Sequence, residues 1–407
     1  MTAPDSTARP WPPLDASLHV LDRALFARPT EETFDVHRFL RDESPLHWDT
    51  EANVWCVSRH EDVSFVSKHP AIFSSAEGSR PNLPTNPSMI NQDEPRHGIL
   101  RRFISKGFTP RQLNLRSDQI RGIATRLIDG VAKQGECDFV EAIAARLPLE
   151  MIGQFLGVPH EDLDQLGRWS DFMTLGSDAL DEQLIGDLIQ AFSDYSAYAR
   201  ALCEQKRRDP GDDLISILVN AEVDGQKLSD EELVHETLLL LVGGSETSRN
   251  VIGGAMELLS RHPDQKQALL EDRSLLPGAI EELIRWHTPI LNMRRTVRRR
   301  HEMHGQTLHE GDQVVMLYPA ANFDERVFSE PERLDLTRPK NPHLAFGVGA
   351  HFCLGANLAR TQIRIVYEEL LRRLPDMRVV DGFAPTYPPS SFVRGFLNLP
   401  VQFSAES

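Results

Sequence analysis

Cys353 sits in the run Phe346-Gly347-Val348-Gly349-Ala350-His351-Phe352-Cys353-Leu354-Gly355, just ahead of an amphipathic helical pattern from Leu354 to Leu374. A thiolate there lies at a helix N-terminus, where free N–H groups and the positive end of the helix dipole favour an anion. Gly347 and Gly349 allow the left-handed turns that bend a backbone around a sulfur, and Gly355 lets the helix begin close to a flat ligand. One anionic sulfur in such a loop suits ligation of haem iron, where thiolate donation favours O–O cleavage. A free cysteine in a glycine-rich turn is the plainer alternative.

Three further sets of residues carry chemistry. Glu246-Thr247 follows Gly243-Gly244 inside a long helical pattern, and two adjacent glycines in mid-helix each cost about 1 kcal/mol relative to alanine, so something must compensate. Glu282 and Arg285 lie at i and i+3 on one helix face, with Phe328-x-x-Pro331-x-Arg333-Leu334-x-x-x-Arg338 between them and Cys353. Taken alone, that Glu-x-x-Arg is a common surface ion pair, and Gly-Gly-x-Glu-Thr is a common helix-packing site. His97 and Arg101 form His-x-x-x-Arg.

In this order and spacing the motifs resemble those of the cytochrome P450 family. The resemblance implies haem b as cofactor, with Cys353 as the iron ligand and Phe346, Gly347 and Gly355 shaping the loop around it. It implies that Glu246 and Thr247 relay protons to bound oxygen on the distal helix. His97, Arg101, Arg295 and His351 are the expected partners of the haem propionates, with Arg294 beside Arg295 as a rival. Glu282, Arg285 and, by position, Arg333 are the expected buried ionic network; removing one partner of such a network costs about 3–5 kcal/mol.

The elements that must position these groups are mostly helical. Ser229-x-x-Glu232 is a capping box that opens a helix running to about Arg261, before His262-Pro263. About 31 residues at roughly 1.5 Å each give about 46 Å, enough to cross a domain. Charges interrupt it too often for a membrane span. Helical patterns occupy most of Gln112–Arg261. Strand-like alternation occurs at Leu46–Trp48, Val54–Val57 and around Gln306–Leu317 with a His309–Asp312 turn. Val379–Val380 and Phe392–Phe403 suggest a C-terminal β region. The expectation is a mainly α fold with small sheets, the single triangular-prism domain of the family, over residues 17–407. Residues 1–16, with Pro10, Pro12 and Pro13, read as an irregular lead.

Composition narrows the function classes. A net charge of −16 argues against nucleic-acid binding, and four cysteines without CxxC spacing argue against zinc or a disulfide scaffold. No signal-type apolar segment or N-terminal anchor is visible, which points to a cytoplasmic enzyme of bacterial type. The chain stops shortly after the last β segment, so no fused reductase is expected; a separate ferredoxin and its reductase would deliver electrons to a monomer. Arg101, Arg102, Lys106, Arg111, Arg360 and Arg364 are candidates for receiving an acidic ferredoxin. A haem-thiolate sensor would not need Glu246-Thr247, and a peroxygenase commonly replaces that pair.

Substrate is the least legible feature. The expected pocket positions are Met89, Ile90, Phe172, Met173, Leu175, Leu240, Val242, Gly243, Ile290, Leu291, Met293, Phe392 and Val393. Apart from the glycine they are apolar, which favours a bulky hydrophobic substrate. Gly135–Phe139, Glu222–Gly225, Glu236–Leu239 and Leu276–Glu281 resemble segments of actinobacterial sterol side-chain hydroxylases, which oxidise the terminal methyl carbon of cholesterol or cholest-4-en-3-one. That likeness runs from about Phe73 onward; the N-terminal residues and Arg298-Arg299-Arg300 depart from it. Branched fatty acids, terpenoids and other steroids remain alternatives.

Overall fold

The computed structural model describes residues 13–173, 182–388 and 390–406, with the side chains at 110–115, 173 and 182 outside the description. Most of the expected lead, residues 1–12, and Leu175 fall outside it as well. Residues 13–17 are exposed, and the chain enters the core at Leu18, Val20 and Leu21.

The helices that build the site are α1 (Arg96–Ser105), α2 (Pro110–Val131), α3 (Arg146–Leu156), α4 (Leu163–Met173), α5 (Glu182–Arg208), α6 (Asp230–Arg261), α7 (Leu276–His287) and α8 (Ala356–Arg373). The longest, α6, begins where the capping box places it. Glu232 N–H donates to Ser229 Oγ at 3.2 Å and Ser229 N–H returns to Glu232 Oε2 at 2.9 Å. It ends at His262, before Pro263, whose ring cannot continue a helix. It packs against α3, α4, α5, α7 and α8 and is the axis of the molecule. Gly244 explains one contact: a Cβ there would meet the Ile152 side chain of α3 at 2.9 Å, so the glycine sets how closely the two helices cross. From α8, Tyr367 donates its hydroxyl to Ile252 O of α6 at 2.6 Å.

The strands are β1 (Leu46–Asp49), β2 (Val54–Val57), β3 (Phe73–Ser74), β4 (Glu136–Asp138), β5 (Asn292–Val297), β6 (His301–Met303), β7 (Gln306–Leu308), β8 (Gln313–Leu317), β9 (Arg378–Val379) and β10 (Pro400–Gln402). One five-stranded sheet has the order β1-β2-β8-β5-β3, parallel only between β2 and β8. The turn at 309–312 divides the expected 306–317 stretch, because β7 pairs with β6 while β8 pairs with β5 and β2. The expected strand at Phe392–Phe403 shrinks to Pro400–Gln402. Residues 392–394 are tied instead to 289–291, which offers no continuous strand edge: Leu291 N–H donates to Phe392 O at 2.9 Å and Arg394 N–H to Pro289 O at 2.8 Å. Among the described residues no helix is long and apolar enough to cross a membrane, and Cys56, Cys137, Cys203 and Cys353 are all free.

Candidate active site

A cavity of about 440 Å³ lies between α6, the loop before α8, the start of β5 and the 89–91 turn. Cys353 lines it. The preceding loop turns as its glycines allow, with Gly347 at φ +66° and Gly349 at φ +78°. A Cβ on Gly349 would lie 3.0 Å from Ser67 O, so that position needs glycine for space as well as for conformation. Gly347 N–H donates to Leu344 O and Cys353 N–H to Phe346 O, which closes the loop around the sulfur. Burial pushes the Cys353 thiol up, against the N–H of Gly355, the charges of Arg101 and Arg360 and the N–H of Ala356, all of which favour the thiolate.

Across the cavity, Gly243, Glu246 and Thr247 face it from α6. Nothing lies within 4 Å of where a Gly243 Cβ would be, so this glycine, unlike Gly244, opens space. Thr247 donates its hydroxyl to Gly243 O at 2.7 Å. Glu246 is pushed up to about 7 by burial, opposed by Arg249, while Asp171 raises it further. Its contacts are loose: Ser170 Oγ and an Arg249 nitrogen each stand 3.5 Å away, and Arg249 binds exposed Asp171 at 3.0 Å.

His97, Arg101, Arg295 and His351 converge at another side of the cavity. The His97 and His351 rings are 4.2 Å apart, Arg101 donates to Phe352 O at 2.7 Å, and Arg295 donates to Arg294 O at 2.8 Å. Burial, then Arg295, His97 and Arg101, push His351 down to about 2. Glu94 reaches His97 at 3.1 Å, but no carboxylate pairs with Arg295, Arg101 or His351 among the described residues. Strand alternation decides between the neighbouring arginines. Arg295 faces the cavity beside Tyr318, whereas Arg294 is spent on Gly78 O and Gln313 Oε1.

The Cytochrome P450 family model matches residues 177–375. A steroid C26-monooxygenase of Mycolicibacterium smegmatis is 42% identical over 371 residues, covering 91% of this chain and 92% of that one. The chain belongs to the cytochrome P450 family. A methyl-branched lipid omega-hydroxylase of Mycobacterium tuberculosis is 39% identical over 86% of this chain and 84% of its own length. The structure of a Mycobacterium marinum cytochrome P450 in complex with pseudoionone superposes with a TM-score of 0.88 at 35% identity, covering 98% of this chain and 100% of that one. The fold is thus that of a P450, and the protein is an enzyme of the monooxygenase type that works with haem. The residues fit that cofactor. A sulfur, a set of bases with too few acids to balance them and an apolar wall surround one cavity, as a flat ring system with two carboxylates requires.

The structure corrects three residue assignments. Arg333 is not in the buried network: its side chain is 62% exposed and pairs with Glu330 at 3.0 Å. Arg338 takes the place, donating from Nε to Glu282 Oε2 at 3.0 Å. The 328–338 segment turns so that Arg333 points outward, while Arg338 folds back and also donates to Ser329 O and Arg333 O. Leu291 is fully buried in the core beside Val315 and Leu317 and does not line the cavity, although Ile290 and Met293 near it do. Phe172 is half-buried against the main core and does not line the cavity. The side chain of Met173 is outside the description. Met89, Ile90, Leu240, Val242, Gly243, Ile290, Met293, Phe392 and Val393 do line it. So do residues the sequence reading missed, among them Phe108, Ile152, Leu238, Leu239 and Tyr318. Leu239 had a signal, since it precedes Gly243 and Thr247 at four-residue steps on one helix face. Tyr318 and Ile152 had none.

Proposed function

We propose that this P450 hydroxylates the terminal side-chain carbon of a steroid or sterol such as cholest-4-en-3-one, with Cys353 as the iron ligand. When bound, a haem with a thiolate ligand supplies activation of O2 for insertion into a C–H bond. The observation that carries the reading is one cavity in which Cys353, the Glu246–Thr247 pair and a long apolar wall all meet. The N–H groups of Gly355 and Ala356 favour the thiolate that iron would bind, against the burial that disfavours it. His97, Arg101, Arg295 and His351 receive the propionates. Glu246, poised near neutrality, takes protons arriving by way of exposed Asp171, which Arg249 holds beside it, and hands them inward, and Thr247 orders the water that carries them.

Selectivity for a terminal carbon needs a rigid wall, because a featureless tail is held by area, at about 25 cal/mol per Å² of apolar surface, and not by charge. Ile290, Phe392 and Val393 supply such a wall, laced together by the Ile290–Val393 bridge and the Leu291–Phe392 hydrogen bond. The steroid C26-monooxygenase relative supports the substrate class, and the methyl-branched lipid omega-hydroxylase supports oxidation at a chain end. Electrons come from a separate ferredoxin and reductase. Exposed Phe352 beside Cys353 supports docking on that side. Of the basic side chains expected there, Arg102, Arg360 and Arg364 are paired with Asp224, Glu281 and Glu368, so docking is less basic than the sequence suggests. The enzyme acts as a cytoplasmic monomer; four free cysteines suit a reducing compartment.

The test is a titration of the purified haem protein with cholest-4-en-3-one, followed by turnover with a ferredoxin system. A low-to-high spin shift and a terminal side-chain alcohol are expected, and Cys353→His should abolish both the red-shifted Soret band of the reduced carbon-monoxide complex and turnover. Ring oxidation, or binding no tighter than that of a short fatty acid, would overturn the substrate; an unchanged band in Cys353→His would overturn the ligand.

A further inference from the structure

Beside the main cavity lies a smaller one of about 270 Å³, lined by Asn292, Ser391, Phe392, Arg80, Leu83 and His19 among others. Arg80, Leu83 and Phe392 line both, so the two cavities adjoin at these side chains, where the Arg80 guanidinium lies 4.0 Å from the Phe392 ring centre. The start of β5 sets the division: Met293 faces the main cavity and Asn292 the smaller one, as alternation along a strand requires.

Asn292 is 1% exposed. Its Nδ2 donates to Ser391 O at 2.7 Å, and its Oδ1 has no hydrogen-bond partner among the described residues. Turning the amide over would not help, because Ser391 O would then face another acceptor. Leaving a buried acceptor unpaired is costly, so the group is suited to a donor that arrives from outside the chain.

We propose that the smaller cavity receives the hydroxyl end of the substrate, with a sterol 3β-hydroxyl donating to Asn292 Oδ1 while the tail occupies the main cavity. This rests on the sterol reading above and sharpens it. A hydroxyl both donates and accepts, so it can serve Asn292 and take a hydrogen bond from Arg80 on the same wall. A ketone only accepts and leaves Asn292 unpaired. A carboxylate only accepts, so it too leaves Asn292 unpaired, whatever it gains from Arg80 or loses to Glu51 on the same wall.

The experiment compares three ligands with one hydrocarbon frame: cholesterol, cholest-4-en-3-one and 5α-cholestane. Dissociation constants come from spin-shift titrations of the holoenzyme, of Asn292→Ala and of Asn292→Ser, whose hydroxyl can still donate to Ser391 O and accept from a ligand. Asn292→Ala should weaken cholesterol about tenfold beyond any change for 5α-cholestane, the worth of one hydrogen bond, while cholest-4-en-3-one moves no more than 5α-cholestane. Asn292→Ser should recover most of the loss. If all three ligands weaken alike, Asn292 merely holds the 391–393 wall and the inference is overturned while the sterol reading stands. If the wild type responds to none of the three, the sterol reading itself falls and takes this inference with it.

Discussion

Glu282 and Glu246 are both carboxyl groups taken out of water on helices, yet the molecule treats them oppositely. Glu282 receives two nitrogens of Arg285 at 2.8 Å each, Arg338 Nε and Asn341 Nδ2 at 3.0 Å, and Asp335 N–H at 3.1 Å. Burial pushes its carboxyl up, but Arg285 and Arg338 outweigh that and hold it below the usual range. Arg285 is committed in turn, donating to Asn322 O and lying over Phe323 at 4.8 Å. Glu246 has one cation nearby among the described residues, shared with Asp171, and burial wins. Similar burial therefore yields a fixed anion where donors are many and dedicated, and an exchangeable proton where the single cation is divided. The first arrangement braces the fold beneath the Cys353 loop; the second suits a group that must change state in every turnover.

The contrast can be broken in three places. The largest effect is expected from Arg285→Ala, which strands Glu282 in the core with half its cations. A loss of about 3–5 kcal/mol in denaturant unfolding should follow, and a loss under about 1 kcal/mol would show that Glu282 is not a fixed anion after all. Glu246→Gln, which cannot ionise, should instead unfold no more readily than the wild type at neutral pH, and more stably if anything, yet lower product per NAD(P)H by about 10²-fold or more, with reducing equivalents diverted to peroxide; Thr247→Ala should show the same loss of product. The pH dependence follows from the raised Glu246 value. Its proton stabilises the folded state fully below the ordinary value of 4.5, and that contribution is lost as pH rises through about 7. Coupled turnover of the wild type should fall over the same upper range, and a profile that Glu246→Gln leaves unaltered would remove the proton-handling role. The smallest effect is expected from Arg333→Ala, within about 0.5 kcal/mol for an exposed pair, against a far larger loss in Arg338→Ala. Equal losses would undo the reassignment of the third network member.

The features legible in the sequence are those set by short-range geometry. A capping box needs only four consecutive residues, and the α6 start follows from Ser229 and Glu232. The Cys353 loop needs left-handed turns within a few residues of the sulfur, so Gly347 and Gly349 announce it. Glu282 and Arg285 meet because i and i+3 share a helix face. The third partner of Glu282 lies more than 50 residues away, and nothing local distinguishes Arg333 from Arg338. Only the path of the loop between them does.

Residue types, helix periods and motif order thus determined the fold class, the sulfur, the acid–alcohol pair and the first ion pair of this protein. The tertiary structure alone decided that Arg295 and not Arg294 faces the cavity, that Leu291 belongs to the core, that Gly243 opens space while Gly244 closes a helix crossing, and that Asn292 keeps an unpaired oxygen beside a second cavity. The reason is physical. Local backbone geometry fixes which neighbours along a chain share a face, but which face meets a void, a partner helix or a cation is settled only when distant segments pack together.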